Sequence, residues 1–202
     1  MANKTDMKVV LLGASNVGKT SLINQYCNGT FVEDTISTIG AGFFTHTLTI
    51  NDTEVTMMLW DTAGEERFKA VAPAIVRGAS GVVLVFDLTN PSSFSDIDSY
   101  YDMALEKCSF DCTKAYPFLL LGNKSDLQSK SISQSAIDQW KERNKINLYF
   151  EVSAKTGENV DKAFYEFLKL ILEINNAESL SSATQITLTG NQKTEPSGAC
   201  CK

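Results

Sequence analysis

Six short apolar runs alternate along this chain with longer amphipathic segments, and that alternation admits few architectures. The runs Lys8–Gly13, Phe43–Ile50, Val55–Asp61, Val82–Asp87, Phe118–Gly122 and Tyr149–Val152 read as strands. The later ones are unbroken stretches of Val, Leu, Ile and Phe, the pattern of parallel strands buried on both faces. Between the runs, Lys19–Cys27, Phe68–Arg77, Ser92–Lys107, Ser133–Arg143 and Val160–Asn175 read as helices. The last carries Val160, Ala163, Phe164, Phe167, Leu168, Ile171 and Leu172 at helical spacing. Strands alternating with helices predict an α/β fold: six strands in a mostly parallel sheet, with helices on both faces. One pair departs from the rule. Phe43–Ile50 and Val55–Asp61 are joined by the short polar turn Asn51–Thr53 and read as an antiparallel hairpin.

A chain of 202 residues, 43% of them hydrophobic, has the material for one core. Residues 1–175 are expected to form that domain. Residues 176–202 are rich in Ser, Thr, Ala and Asn and read as a flexible tether. A formal net charge of −6 leaves no basic face for a nucleic-acid backbone, so no nucleic-acid partner is expected. No apolar run approaches the roughly 20 residues of a membrane span, and the first residues lack a signal-peptide pattern, which points to the cytosol. Cys27, Cys108 and Cys112 are scattered, and His46 is the one histidine, so neither a disulfide framework nor a histidine metal site is expected.

The strongest chemical signal follows the first strand. Gly13-Ala14-Ser15-Asn16-Val17-Gly18-Lys19-Thr20 matches G-x-x-x-x-G-K-[ST], placed between an apolar strand and a helix, the context the motif requires. Backbone N–H groups from Ser15, Asn16, Val17 and Gly18, continuing through Thr20 and Ser21 into the helix, can wrap phosphate oxygens while the glycines keep side chains clear. Lys19 is placed to reach the β and γ phosphates, and the Thr20 hydroxyl to ligate Mg2+.

Such a loop does not name the base. Asn123-Lys124-Ser125-Asp126 and Ser153-Ala154-Lys155 each follow an apolar run, so both lie at carboxyl ends of strands, where open α/β sheets bind ligands. A carboxylate at Asp126 can accept from N1–H and the exocyclic amine of guanine, whereas adenine has neither donor at those positions. The expected ligand is therefore GTP or GDP.

The phosphate loop, Asp61-Thr62-Ala63-Gly64, Asn123-Lys124-Ser125-Asp126 and Ser153-Ala154-Lys155, in this order, resemble the Ras superfamily of small GTPases over roughly residues 7–175. Trp60-Asp61-Thr62-Ala63-Gly64 and the terminal Cys200-Cys201 look like the Rab branch. Ser37-Thr38-Ile39-Gly40-Ala41-Gly42-Phe43, with Ala72-Pro73 and Arg77-Gly78-Ala79, look most like its early-endosomal members. The resemblance implies the phosphate-loop NTPase fold of the small-GTPase type. It also implies that Thr38 meets Mg2+ and the γ phosphate, that Asp61 holds Mg2+ through water, that the Gly64 N–H binds the γ phosphate and that Phe31 lies against the guanine. Loss of the γ phosphate would release the segments around Thr38 and Gly64, making the surface a switch. Implied partners are an exchange factor, a GTPase-activating protein, a GDP dissociation inhibitor or escort protein, and effectors reading Ile39, Phe43, Trp60 and Ile75. Ile75 stands where an aromatic residue is usual, so that patch is expected to be smaller and flatter.

Two further features bear on chemistry and place. Glu65 stands where the family's water-orienting glutamine is expected. A carboxylate about 5 Å from the γ phosphate is repelled by about 3 kcal/mol at an effective dielectric near 20, yet it could also serve as a base on the attacking water. The expected function is a Rab-type switch that binds and hydrolyses GTP, with Glu65, Lys19, Thr38 and Gly64 at the reacting phosphate. The alternative is a GTP-bound membrane landmark with impaired hydrolysis. Cys200-Cys201-Lys202 resembles the endings that receive two geranylgeranyl groups, which implies stable anchoring on the cytoplasmic face of an endomembrane, with an endosome the expected place.

Overall fold

Strand β1 (Asn3–Leu12) lies inside the sheet, and the order β2-β3-β1-β4-β5-β6 spreads outward from it on both sides. The computed structural model describes residues 3–33, 38, 40–63, 72–107 and 116–188, with the backbone alone for Asn3 and 178–188. β1 runs parallel to both β3 (Thr53–Thr62) and β4 (Gly81–Asp87). β5 (Phe118–Asn123) and β6 (Tyr149–Glu151) continue in the same direction. β2 (Ala41–Ile50) alone is antiparallel, paired to β3 over its whole length. Every parallel strand therefore ends on one edge, and the chain leaves β1 where neighbours on its two sides diverge in sequence order, the position at which such sheets form a crevice.

Side-chain alternation along the strands splits the core in two. Val9 and Leu11, Val83 and Val85, Leu119 and Leu121 face the layer of α1 (Lys19–Asn28) and α6 (Val160–Leu188). Val10 and Leu12, Val82, Leu84 and Phe86, Phe118 and Leu120 face the layer of α2 (Ala72–Val76), α3 (Pro91–Ser95), α4 (Ile97–Lys107) and α5 (Gln134–Asn144). Both faces of β4 and β5 are buried, which accounts for their unbroken apolar sequences. In the first layer Tyr26 stacks on Phe164 with centroids 4.4 Å apart, fixing α1 against α6. In the second, Asp98 of α4 accepts from Trp140 Nε1 at 2.8 Å and from Arg143 at 2.6 Å, joining α4 to α5.

The hairpin turn uses Asn51 and Asp52, both at positive φ (47° and 62°), the conformation whose twist matches the strands it joins. Two helices differ from the sequence reading. Ser92–Lys107 is expected as one helix but divides at Asp96. Asn90 caps α3 by accepting from Ser92 N at 3.1 Å, and the Ser95 hydroxyl bonds back to the Pro91 carbonyl at 3.2 Å, a contact that bends helices. The helix expected to stop at Asn175 continues to Leu188. Residues 176–188 contain neither Gly nor Pro, so nothing in them terminates the helix, and composition alone placed the boundary too early. Of the helix expected over Phe68–Arg77, residues 72–76 form α2, and 68–71 lie outside the described residues.

Phe164 is fully buried where α6 meets α1 and the sheet. Truncation to Ala leaves a cavity under Tyr26, and Phe164→Ala is expected to cost about 3–5 kcal/mol in urea unfolding followed by far-UV circular dichroism.

Candidate functional site

The loop after β1 is shaped by two contacts that leave no room for side chains. A Cβ on Gly13 would lie 2.1 Å from the Val85 carbonyl oxygen. A Cβ on Gly18, at φ +93°, would lie 2.4 Å from the side-chain nitrogen of Asn123. The second contact exists because the buried Asn123 side chain joins three segments. Its Nδ2 donates to the Val17 carbonyl at 2.8 Å, and its Oδ1 accepts from Ala154 N at 3.1 Å. Phosphate loop, Asn123–Asp126 and Ser153–Lys155 are thereby one assembly, as the motif order predicts.

At the start of α1, Lys19 is 5% exposed, with its ammonium donating to the carbonyls of Gly13 and Ala14, each at 2.8 Å. Burial pulls this ammonium from its ordinary value down to about 8, and the nearby Asp61 carboxylate offsets only part of that. A buried cation held by two neutral carbonyls is poised for an anion. Beside it, the Thr20 hydroxyl donates to Asp61 Oδ2 at 2.5 Å and lies 2.8 Å from the Thr38 hydroxyl, which itself donates to the same oxygen at 3.2 Å. Burial raises the Asp61 carboxyl above its ordinary range despite the Thr20 hydroxyl, the Lys19 charge and the Thr38 hydroxyl. Its Oδ1 is buried with no hydrogen-bond partner among the described residues. One carboxylate and two hydroxyls are the sparse, hard oxygen set that suits Mg2+, an ion that keeps several waters, so the residues present fit that ion.

A cavity of about 330 Å³ opens beyond the loop, lined in part by Asn16, Gly18, Ser21, Phe31, Lys124, Asp126, Ala154 and Lys155. All belong to the set expected to hold the nucleotide. Asp126 Oδ1 accepts from the buried Ser153 hydroxyl at 2.6 Å, and that hydroxyl accepts from Thr156 N at 3.1 Å, so the carboxylate is aimed while staying exposed. Phe31 is half-buried against the α1–α6 core. Ser15 stands on the loop's turn and Val17 is buried beneath it.

Three lining or supporting residues escape the motifs. Glu33 and Leu127 line the cavity, and Glu33 reaches the Lys155 ammonium at 3.3 Å across its mouth. Asp87 lies behind Lys124 and binds its ammonium at 2.6 Å. Leu127 and Glu33 sit beside recognised residues but carry no pattern. Asp87 does carry a signal, a carboxylate closing the apolar run Val82–Phe86.

On the flank of the site, Phe43 and Trp60 face one another across β2 and β3 with centroids 5.2 Å apart, edge to face, and Phe43 is 53% exposed. Ile75 departs from the expected effector surface. It is 9% exposed and packs in the α2–α5 layer, because an aliphatic side chain without a polar tip gains more from the core than from solvent. Ile39, Gly64, Glu65, Cys200 and Cys201 lie outside the described residues.

Comparison with known proteins places this geometry. The profile of the Ras family matches residues 8–173. The Ras-related protein Rab7 of Drosophila melanogaster is 44% identical over 195 residues, covering 96% of this chain and 94% of the relative. The Ypt/Rab-type GTPase ypt7 of Schizosaccharomyces pombe is 44% identical over 179 residues, 87% of each chain. The Ras-related protein RABG3b of Arabidopsis thaliana is 43% identical over 172 residues, covering 84% of this chain and 85% of the relative.

Two predictions follow from the loop. Gly18→Ala is expected to lower affinity for guanine nucleotides at least tenfold, measured by titration of a fluorescent GDP analogue, because the new Cβ must displace Asn123. In the nucleotide-free chain, Lys19 loses its proton above pH 8 when folded but keeps it to about 10.4 when unfolded. The unfolded state then binds more protons, so this group adds stability as pH rises through that window. The melting temperature of the nucleotide-free chain is expected to gain between pH 7.5 and 9.5 relative to that of Lys19→Met.

Proposed function

The chain belongs to the Ras family, in its Rab branch, whose members are GTPases, and from that premise we propose a Mg2+-dependent GTP/GDP switch that recruits effectors to an endosomal membrane. The observation that carries this reading is the Asn123 clasp, which joins a phosphate-binding loop to a guanine-reading carboxylate on one cavity.

The residues divide the work by chemistry. Ser15, Asn16, Val17, Gly18, Thr20 and Ser21 offer backbone donors to the phosphates, and the Lys19 ammonium exchanges two carbonyls for phosphate oxygens. Asp126 accepts from the base, held by Ser153, while Ala154 and Lys155 close one side and Phe31 covers a face. Thr20, Thr38 and Asp61 would hold Mg2+, which would supply positive charge to the phosphates when bound. Thr38 and Asp61 already meet Thr20, so a γ phosphate finds the Thr38 segment within reach. Lys19, Thr38 and Gly64 would neutralise or orient the reacting phosphate, and Glu65 takes the sequence position of the family's water-orienting glutamine. When the γ phosphate leaves, Thr38 and Gly64 lose their partner and the surface formed by Ile39, Phe43 and Trp60 changes.

The partners that this cycle needs are an exchange factor, a GTPase-activating protein, effectors, and a GDP dissociation inhibitor or escort protein to shield prenyl groups on Cys200 and Cys201. Residues 176–202, whose first part continues α6 to Leu188, then serve as the tether.

Glu65 supports a second reading, a GTP-bound landmark on the membrane that hydrolyses too slowly to cycle unaided. Single-turnover hydrolysis of GTP with Mg2+ separates the two. The native chain is expected to form GDP within about threefold of the Glu65→Gln rate; intact GTP in the native chain beside turnover in the variant would make the landmark the function. Lys19→Ala, deprived of the phosphate-binding cation, serves as the binding-dead control, and excess ATP is expected not to displace a fluorescent guanine nucleotide.

A further inference from the structure

One wall of the base cavity is a lysine whose charge is held elsewhere. Lys124 lines the cavity, yet its ammonium lies 2.6 Å from Asp87 Oδ2, on the side of β4. With the head committed there, the parts of Lys124 left for the cavity are its methylene stem and backbone. Lys124 sits at φ +67°, a region that non-glycine residues enter at a cost.

Asp87 is built for the task. It ends β4 in register with Asn123 at the end of β5, and Leu88 N donates to the Asn123 carbonyl at 3.0 Å, so the two strand ends are locked together. The residue is 6% exposed and each of its oxygens is engaged. Oδ1 accepts from Thr89 N at 2.8 Å and from the Thr89 hydroxyl at 2.7 Å, leaving Oδ2 to the lysine. Burial alone would raise this carboxyl, but the bonds from Lys124 and Thr89 outweigh it and hold it below its ordinary value. A fully satisfied buried carboxylate is a rigid anchor.

The anchor matters because of what lies two residues on. Asp126 is exposed and carries the charge that guanine must meet. A Lys124 ammonium released from Asp87 would find that carboxylate within its reach along the chain, and the cation would then compete with the two donors of the base. We propose that Asp87 is a positioning residue for guanine binding, which holds the Lys124 ammonium away from Asp126 and sets the lysine stem as a wall of the base cavity. This rests on the reading of that cavity as the guanine site.

The test loads the full chain with a fluorescent GDP analogue and follows its release into excess GDP for the native chain, Asp87→Asn, Lys124→Gln and the double variant. Melting temperatures are recorded in parallel. Each single variant is expected to release the analogue about tenfold faster, the scale of a partly buried charged hydrogen bond, with the double no faster than the faster single. Release from Asp87→Asn at the native rate overturns the proposal, and so does a double variant whose acceleration is the product of the two singles. A lowered melting temperature with unchanged release gives Asp87 a purely structural role and also overturns it. Should Asp87→Asn not fold, Asp87→Ser is read in its place, alone and combined with Lys124→Gln: faster release that the combination does not multiply upholds the proposal, and native-rate release from Asp87→Ser defeats it. A native chain that fails to retain the analogue defeats the guanine reading and this proposal together, a result seen before any variant is compared.

Discussion

The buried amide of Asn123 is the joint on which the site depends. Its donor and acceptor are both used, on segments more than thirty residues away in one direction and more than a hundred in the other. An unsatisfied buried amide costs about 1–3 kcal/mol, so neither the phosphate loop nor the Ser153–Lys155 loop can drift without penalty. Gly18 is glycine because that amide occupies the place of its Cβ. The parallel sheet makes the joint possible, since β1 and β5 end on the same edge and their loops meet there without any long connection.

Around this joint the folded chain holds charges in unfavourable places. Lys19 is buried against neutral carbonyls, and Asp61 is buried with one oxygen unpartnered among the described residues. The sheet and its two core layers sustain that arrangement through burial of side chains such as Phe86, Phe164 and Phe167, each fully enclosed. An anion with its accompanying cation relieves both charges at once, and a ligand that binds the folded state alone adds its binding free energy to stability. Binding there would therefore also stabilise the fold.

Much of this was legible in sequence, and for physical reasons. The unbroken apolar runs of β4 and β5 are buried on two faces as they read, and the G-x-x-x-x-G-K-[ST] spacing falls between β1 and α1 as that pattern requires. What escaped was set by contacts distant in sequence or by the absence of a stop. Ile75 is named by the resemblance, at the third position of an effector patch, but its burial is decided by the α2–α5 layer. The extent of α6 could not be read from composition, because a polar helix and a polar coil use the same residues. The division at Asp96 arises from a serine hydroxyl, which leaves no periodic trace. Asp87 and Glu33 support the site through partners 37 and 122 residues away, and pairing at such separations has no local signature.

The hairpin of β2 and β3 has a consequence for how the molecule is read. One strand begins just after Thr38 and the other ends at Asp61 and Thr62, with Ala63 N bonded to the Gly40 carbonyl at 2.9 Å where they meet. The Thr38 side and the Asp61 side are thus the two strands of one open hairpin end, and the edge-to-face pair Phe43 and Trp60, the first exposed and the second half-buried, lies one residue pair beyond Gly42 and Asp61 on the same ribbon. A protein resting on Phe43 would meet both strand ends at once, because the pairing of β2 with β3 makes them a single surface.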